Sequence, residues 1–290
     1  MNCLPQNKQL LVSQMLASLA DIEGIEAIAL GGSYARGVAT DASDIDLGIY
    51  YSEASPPSID QIRNLARTFD STPHLIVTNF YEWGQWVNGG AWLNTSCGEV
   101  DWLYRNLDQV EKVIEEAMQG KFAWDFRQQP PHGFFSVSYL ADLRQNIILY
   151  DPKGKLAWAK QAIQAYPQPL KKALVQGHLW SIEFTSFNAK KFLKRNCLYG
   201  TVGCINRMIA ELTQVLFALN EIYFATDKDI LSLIDTFAIK PRDYSQRIHS
   251  ILCCPGKDQA LAVSLKQLQE IIQETMALAH PLYTSKYAIE

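Results

Sequence analysis

The strongest constraint on the fold of this chain is a loop of small residues that follows an apolar stretch and precedes two closely spaced aspartates. The loop is Gly31-Gly32-Ser33, and the aspartates are Asp44 and Asp46. Residues 25–30 (IEAIAL) are mostly apolar, which predicts a buried strand that the two glycines end. Residues 44–50 (DIDLGIY) alternate between polar and apolar, which predicts a second strand with both aspartates on one face.

The loop has the residue types of a phosphate-binding turn. Glycines let a phosphate group approach the backbone closely, and we expect Ser33 to cap a following helical turn and to offer its hydroxyl as a donor. Arg36 lies in that turn and can add a charge-assisted hydrogen bond to a phosphate oxygen. The predicted nucleotide-binding residues are therefore Gly32, Ser33 and Arg36, whereas Ser43 is expected to shape the turn before Asp44.

The paired aspartates have the chemistry of a divalent-cation site. Two carboxylates on one strand face repel each other, and Mg²⁺ relieves that repulsion while keeping waters and substrate phosphates as its other ligands. Residues 98–104 (GEVDWLY) alternate in the same way, so Glu99 and Asp101 share a face and either can supply a third carboxylate. We favour Asp101, because a strand beside the first pair would bring it next to them. Three carboxylates can hold two metals roughly 3.5–4 Å apart.

Gly32-Ser33, the ten residues that follow, Asp44-x-Asp46 and the later Asp101 together resemble the nucleotidyltransferase superfamily related to DNA polymerase beta. The resemblance covers about the first 105 residues. It implies a magnesium-dependent enzyme that uses ATP or another nucleoside triphosphate, with Asp44, Asp46 and Asp101 as catalytic and metal-binding residues. Residues 100–105 and 217–223 are also similar to two-domain bacterial members with a helical C-terminal half, among them antibiotic adenylyltransferases.

The chain is long enough for two domains. The turn Asp151-Pro152-Lys153-Gly154 is our predicted boundary, which makes this an α+β protein. Residues 1–150 would form a nucleotidyltransferase domain with a mixed β-sheet flanked by helices, and residues 151–290 an all-α helical bundle. In the first part we expect helices at 8–22, 58–69 and 108–118, strands at 74–80, 91–96 and 99–105, and a helix running into a strand over 137–149. In the second part we expect helices at roughly 155–165, 168–195, 199–224, 228–237, 241–253 and 257–279.

Charge is unevenly distributed along the chain. The net charge is −4, with −9 in residues 1–150 and +5 in residues 151–290. A mildly acidic protein is an unusual tight binder of nucleic acid, although a locally basic groove remains compatible with it. Basic residues crowd one predicted helix, where they form either a solvated face or a substrate-facing edge: Lys190, Lys191, Lys194 and Arg195.

Several further residues are candidates for the acceptor side of a site. Glu183 and Glu211 lie in apolar helical segments and could bind a cationic substrate or remove a hydroxyl proton, a role also open to Asp101. Four aromatic residues between two predicted strands could stack a base or line an acceptor pocket, with core packing as the alternative: Tyr81, Trp83, Trp86 and Trp92. His132 and His178 are expected to be structural.

Compartment and membrane association follow from composition. No uninterrupted run approaches the ~18 apolar residues of a membrane span, and the first residues lack a secretory signal pattern. The six cysteines match no zinc or compact disulfide pattern. We therefore expect a cytoplasmic protein without a membrane partner.

Three functions fit these observations. The first, implied by the resemblance, is magnesium-dependent transfer of a nucleoside monophosphate, AMP from ATP, to a hydroxyl of a small-molecule acceptor with release of pyrophosphate. The second keeps the reaction but uses RNA or a protein as acceptor, as in toxin–antitoxin systems. The third is a nucleotide-binding module without turnover. The sequence leaves open the acceptor, the preferred triphosphate and the oligomeric state.

Overall fold

The computed structural model describes residues 3–253 and 258–285. The chain forms two compact units. The first comprises the residues up to Glu115 together with Trp124–Ala165, and the second comprises Glu116–Ala123 together with the residues from Tyr166 onward. The division of the chain into two domains at residue 151 is a statement about which segments fold independently, and it stays a prediction.

A six-stranded mixed sheet organises the first unit. Its spatial order is β3-β4-β5-β2-β1-β8, in which β2 and β5 are parallel and the other neighbours are antiparallel. These strands are β1 (Ile25–Leu30), β2 (Ile45–Tyr51), β3 (Ile76–Val77), β4 (Gly90–Thr95), β5 (Gly98–Asn106) and β8 (Ile147–Tyr150). A separate two-stranded ribbon pairs β6 (Trp124–Asp125) with β7 (Phe134–Phe135).

Helices accompany this sheet, and their apolar faces form its core. They are α1 (Gln6–Ala20), α2 (Gly32–Arg36), α3 (Ile59–Phe69), α4 (Leu107–Met118), α5 (Val137–Gln145) and α6 (Lys155–Ala162). Helix α1 contacts β1, and α3 contacts β4. The side chains of Ile45, Leu47 and Trp102 are completely buried in the core between the sheet and these helices. Because side chains alternate along a strand, this burial fixes which residues of β2 and β5 face the other way.

All the regular secondary structure of the second unit is helical in the part that the structure describes. Helix α7 (Gln168–Lys194) packs along α8 (Leu198–Leu219), and both contact α11 (Asp258–Leu278). Two shorter helices, α9 (Ile230–Asp235) and α10 (Tyr244–Leu252), complete it. Near the turn between α7 and α8, the ring of Phe192 lies so close to Gly200 that a Cβ at Gly200 would come within 2.6 Å of it.

The fold class predicted from the sequence is confirmed, and the differences are the ends of elements and the β6–β7 ribbon, which was not predicted. Ser58 caps α3 as expected, accepting a hydrogen bond from the backbone N–H of Gln61 at 3.4 Å. The strand expected over 74–80 is wrong in length, since only Ile76–Val77 pairs with β4. The helix expected over 199–224 ends at Leu219, because Asn220 uses its side chain to bind the backbone carbonyl oxygens of Leu216 and Ile239. Residue 257, the predicted start of the last helix, lies outside the described residues.

Helix α8 is long and apolar enough to cross a membrane by length and composition alone. Its most apolar window is 72% buried inside the protein. Packing in the helical unit therefore accounts for its composition.

Candidate functional site

The parallel pairing of β2 with β5 brings the predicted carboxylates together. Asp46 lies directly opposite Asp101 in the register of the two strands. Ile45 and Leu47 on β2, like Val100 and Trp102 on β5, point into the core, so the two aspartates extend from the opposite face. Asp44 lies one residue before β2 begins at Ile45, where the sequence had predicted the first strand residue.

The three aspartates form one cluster. A carboxylate oxygen from each of Asp44, Asp46 and Asp101 lies within 4.8 Å of the other two, and none of the three side chains is buried. Partial burial and the charges of Asp46, Asp44 and Glu99 raise the pKa of Asp101 to about 6, although a hydrogen bond from Trp92 acts to lower it. Three carboxylates at this distance repel one another. A divalent cation, which prefers oxygen ligands, would relieve that repulsion.

Gly32 is required by the geometry of the turn beside this cluster. Its φ is +58°, and a Cβ built there would lie 1.6 Å from an Oδ of Asp46. The neighbouring Gly31 donates its backbone N–H to the carbonyl oxygen of Asp46 at 2.8 Å. The turn is therefore held against β2, and a side chain at residue 32 would occupy the space of the Asp46 carboxylate.

Ser33 has a different place from the one its sequence position suggested. The N-cap of α2 is Gly31, and Ser33 lies inside the helix, so the expectation that Ser33 caps it is wrong. Its Oγ is buried and makes no hydrogen bond within the described part of the chain. A buried hydroxyl without a partner costs free energy, and a phosphate oxygen brought to the turn would satisfy it.

Lys8 fixes the turn and the segment before Asp44 to each other. Its side chain is buried, and its Nζ donates to the Tyr34 hydroxyl at 2.8 Å and to the Ser43 carbonyl oxygen at 2.7 Å. Ser43 Oγ accepts from the Thr40 backbone N–H at 2.9 Å, which confirms that Ser43 shapes this turn. Sequence reasoning missed Lys8, although its spacing from Leu11 and Met15 places it on the apolar face of α1.

Comparison with protein-family models assigns this region. Residues 12–118 match the model described as nucleotidyltransferase domain. The first unit carries a nucleotidyltransferase domain. Residues 135–228 match a domain of unknown function (DUF4037), and among curated proteins none matches the chain. Among solved structures, a nucleotidyltransferase-like protein from Exiguobacterium sibiricum 255-15 is similar over 96% of this chain and 77% of its own, with 9% identity and a TM-score of 0.46.

An ion pair missed in the sequence lies on the same sheet face of the nucleotidyltransferase domain. Arg105 is four residues beyond Asp101 on β5, and its Nε donates to Asp142 of α5 at 3.1 Å. A Cβ at Gly31 would be 3.7 Å from both Asp142 and Asp46, so Asp142 borders the turn. The alternation that places Asp101 on this face also places Arg105 there, so the sequence pattern could have indicated the position of Arg105.

Of the other residues predicted for the nucleotide or acceptor side of the site, Glu99 and Arg36 are exposed, and Trp92 lies beside the aspartate cluster. Glu99 is exposed and lies outside the aspartate cluster, and the Nε of exposed Arg36 donates to the carbonyl oxygen of Gly32 at 3.3 Å within its own turn. Trp92 lies opposite Asp101 on β4 and stacks on Trp83 with 4.1 Å between ring centroids.

The remaining two aromatic residues have structural partners. Trp86 stacks on Phe134 at 5.5 Å. Tyr81 hydrogen-bonds to Glu53 and accepts from Asn106 at 2.7 Å. Of the four aromatic candidates, Trp92 therefore lies beside the aspartate cluster, and Trp83 packs against Trp92.

Glu183 and Glu211 are both buried in the helical unit. Glu183 accepts hydrogen bonds from the hydroxyls of Tyr283, at 2.7 Å, and Ser285. One oxygen of Glu211 accepts from Ser181 Oγ at 2.8 Å and from Arg207 Nε at 3.0 Å, and burial raises the pKa of this carboxyl. Both side chains therefore hold parts of this unit together.

The two histidines named from the sequence are structural as expected. His178 is buried beside Phe122, with 5.2 Å between the ring centroids, and burial lowers its pKa to about 3. It therefore stays neutral at physiological pH. The carbonyl oxygen of His132 accepts a hydrogen bond from Trp124 Nε1 at 2.7 Å.

Proposed function

We propose that the protein transfers a nucleoside monophosphate from a nucleoside triphosphate, AMP from ATP, to a hydroxyl group of a small-molecule acceptor with release of pyrophosphate. The observation that carries this proposal is the convergence of Asp44, Asp46 and Asp101 beside the Gly32 turn. The match of residues 12–118 to nucleotidyltransferase domains supports the same reaction class.

Each part of the site has a separate task in this reaction. The Gly32 turn gives the triphosphate access to the backbone, and Ser33 Oγ donates to a phosphate oxygen. Asp44, Asp46 and Asp101 would hold one or two Mg²⁺ ions, which when bound neutralise the charge on the phosphates. The acceptor oxygen forms a bond to the α-phosphorus, the bond from that phosphorus to the bridging oxygen breaks, and pyrophosphate leaves.

Asp101 is the group that we propose takes the proton of the acceptor hydroxyl. A carboxylate oxygen of Asp101 lies within 4.8 Å of one from each of the other two aspartates, which would put a proton acceptor beside the metal-held phosphates. Glu183 and Glu211 are less suited, because both are buried inside the helical unit, where Glu183 accepts from Tyr283 and one oxygen of Glu211 accepts from Ser181.

Pyrophosphate release from each of the four ribonucleoside triphosphates, with Mg²⁺ or Mn²⁺, tests the proposal. A panel of small hydroxylated acceptors is compared with RNA and protein fractions of a cell lysate, using ATP labelled at the α-phosphate. We expect label in the small-molecule fraction, release that requires the metal, and loss of release in D46N but not in E99Q. Label confined to RNA or protein would show that the acceptor is a macromolecule and would contradict a small-molecule acceptor. Tight ATP binding without turnover across all acceptors would contradict the enzymatic assignment.

A further inference from the structure

One face of α7 exposes three large aromatic side chains to solvent. Trp180 is 43% exposed, Phe184 53% and Phe187 58%. The opposite face of the helix, which includes Leu179 and Ile182, is completely buried. An exposed row of rings on a helix anchored in this way is a marker of an interaction surface.

These rings continue into positive charge along the same face. Positions 180, 184, 187, 191 and 194 recur at intervals of three and four residues, so their side chains share one stripe about 21 Å long. The rings of Trp180 and Phe184 are nearly parallel, with 2° between their planes and 5.8 Å between centroids. Lys191 Nζ lies 4.2 Å from the ring centroid of Phe187. We call Trp180, Phe184, Phe187, Lys191 and Lys194 the α7 stripe.

The surroundings of the α7 stripe are basic. Between Gln168 and Ala210 the sequence contains one acidic residue, Glu183, and its side chain is buried. Arg195 follows the stripe at the end of α7, and beyond it Tyr199 on α8 is 93% exposed. A partner that covers this surface therefore meets aromatic faces and cations with no exposed acidic side chain from this segment.

A second copy of the chain fits this surface poorly. A two-fold symmetric contact would bring together the basic residues of both stripes and would supply no exposed acidic side chain from this segment to neutralise them, which disfavours association. A membrane also fits poorly, because inserting the Phe187 ring into hydrocarbon would bury the Lys191 ammonium that lies over it. A partner that carries flat rings and regularly spaced negative charges satisfies both features at once.

We propose that the α7 stripe binds single-stranded nucleic acid. Unpaired bases stack on the rings of Trp180, Phe184 and Phe187, and phosphates further along the strand contact Lys191, Lys194 and the adjoining Arg195. Stacking on aromatic side chains beside a basic track is how proteins bind single strands with little sequence preference. A duplex keeps its bases stacked on each other and offers only its phosphates, so we expect it to bind more weakly.

This inference goes beyond the proposed reaction and does not depend on it. The strand can be a bound partner whether or not it also receives a nucleotide. Binding is therefore measured with D46N, in which we expect no nucleotidyl transfer, as well as with the unsubstituted protein. Loss of transfer with retained binding would separate the two proposals.

The test uses fluorescence anisotropy of a labelled 12-nucleotide single strand, as RNA and as DNA, and of the matching duplex. In the triple variant W180A/F184A/F187A we expect affinity to fall by at least roughly ten-fold, since three base-stacking contacts are lost at once. In K191Q/K194Q/R195Q the slope of log affinity against log salt should decrease by about 2, at roughly 0.7 for each phosphate contact on a single strand. All the substituted side chains are exposed, and circular dichroism verifies that both variants are folded.

Matched controls come from elsewhere on the surface. Trp158 is 54% exposed on α6, and W158A should bind the single strand like the unsubstituted protein, as should R242Q/K266Q. The proposal is overturned if the single strands do not bind at low salt, or if W180A/F184A/F187A and W158A bind them equally. It is also overturned if the stripe variants abolish binding to anionic vesicles or self-association but leave strand binding unchanged.

Discussion

In the nucleotidyltransferase domain three aspartates lie side by side and none of them is buried, whereas in the helical unit Glu183 and Glu211 are fully enclosed. The enclosed glutamates accept hydrogen bonds from hydroxyl groups and from an arginine. Burial raises the pKa of both Glu211 and Asp101, but hydrogen-bond donors lower it at Glu211, whereas the neighbouring carboxylates raise it further at Asp101. Carboxylates that face one another at a surface turn repel one another, and a cation from solvent would relieve that repulsion, while carboxylates enclosed with donors hold helices in place.

The largest expected effect is the loss of activity in D46N. This substitution keeps the shape of the side chain and removes one negative charge from the cluster. We expect pyrophosphate release to fall on the order of a thousand-fold, because metal binding supplies several kcal/mol of transition-state stabilisation. The control is E99Q on the neighbouring strand, which removes a nearby charge outside the cluster. If both variants lose activity equally, the cluster has no special role.

Two glycine substitutions distinguish the effect of a steric clash at the turn from the effect of backbone strain. Gly32 and Gly37 both have positive φ, at +58° and +72°, but a Cβ at Gly37 meets nothing within 4 Å. G37A should therefore cost about 1–2 kcal/mol of stability from the left-handed backbone alone. G32A should in addition displace the Asp46 carboxylate and lower kcat/KM by about a hundred-fold. Thermal unfolding and kinetics of both variants measure the difference, and equal kinetics would contradict the assigned role of the turn.

Metal affinity should depend on pH through Asp101. A proton on this carboxyl competes with the cation, so Mn²⁺ affinity should weaken by about ten-fold for each pH unit below about 6. Titration calorimetry between pH 5 and 7.5 measures it, and D101N should show a weaker and flatter dependence.

The same group affects the stability of the metal-free protein. Because the pKa of Asp101 is higher in the folded state, the native protein binds more protons than the unfolded chain between about pH 4 and 6. Its free energy of unfolding should therefore decrease as pH rises through that window. Denaturant titrations at a series of pH values measure this slope, which D101N should reduce, and an unchanged slope would contradict the raised pKa.

The smallest kinetic effect is expected in the helical unit. E183Q replaces an acceptor oxygen by an NH₂ group that faces a hydroxyl donor, so it should lower the free energy of unfolding by about 1–3 kcal/mol. The rate constant kcat should stay unchanged, because in our proposal Glu183 has no part in the reaction. Y283F provides the complementary change on the donor side. A fall in kcat without a fall in stability would make Glu183 the proton acceptor and reverse the comparison between the two units.

The sequence was sufficient to predict the features that depend on local residue patterns, such as which face of a strand a side chain occupies. Alternation along residues 44–50 and 98–104 placed Asp46 and Asp101 on the faces where the structure has them, and the roles of these residues in catalysis stay predictions. The pattern could not show that Asp44 precedes the strand, because that depends on where ladder hydrogen bonds begin. It also could not choose between Asp101 and Glu99, which share one face and differ in their distance from the other two aspartates.

What the sequence left out depends on contacts between distant residues. Lys8 binds Tyr34 and Ser43, which lie 26 and 35 residues away, and Arg105 binds Asp142, which lies 37 residues away. No local rule pairs such residues. The wrong expectation for Ser33 has a local origin, because Gly32 can adopt a left-handed conformation and the helix begins two residues earlier than a cap at Ser33 would allow.

The direct pairing of Asp46 with Asp101 also protects the site from errors in folding. If β5 paired one position out of step, Trp102 would leave the interior for solvent and Asp101 would enter the interior in its place. Both exchanges are strongly unfavourable, so a misaligned strand cannot persist. The strand register that buries Trp102 is therefore the same register that brings Asp101 next to Asp46.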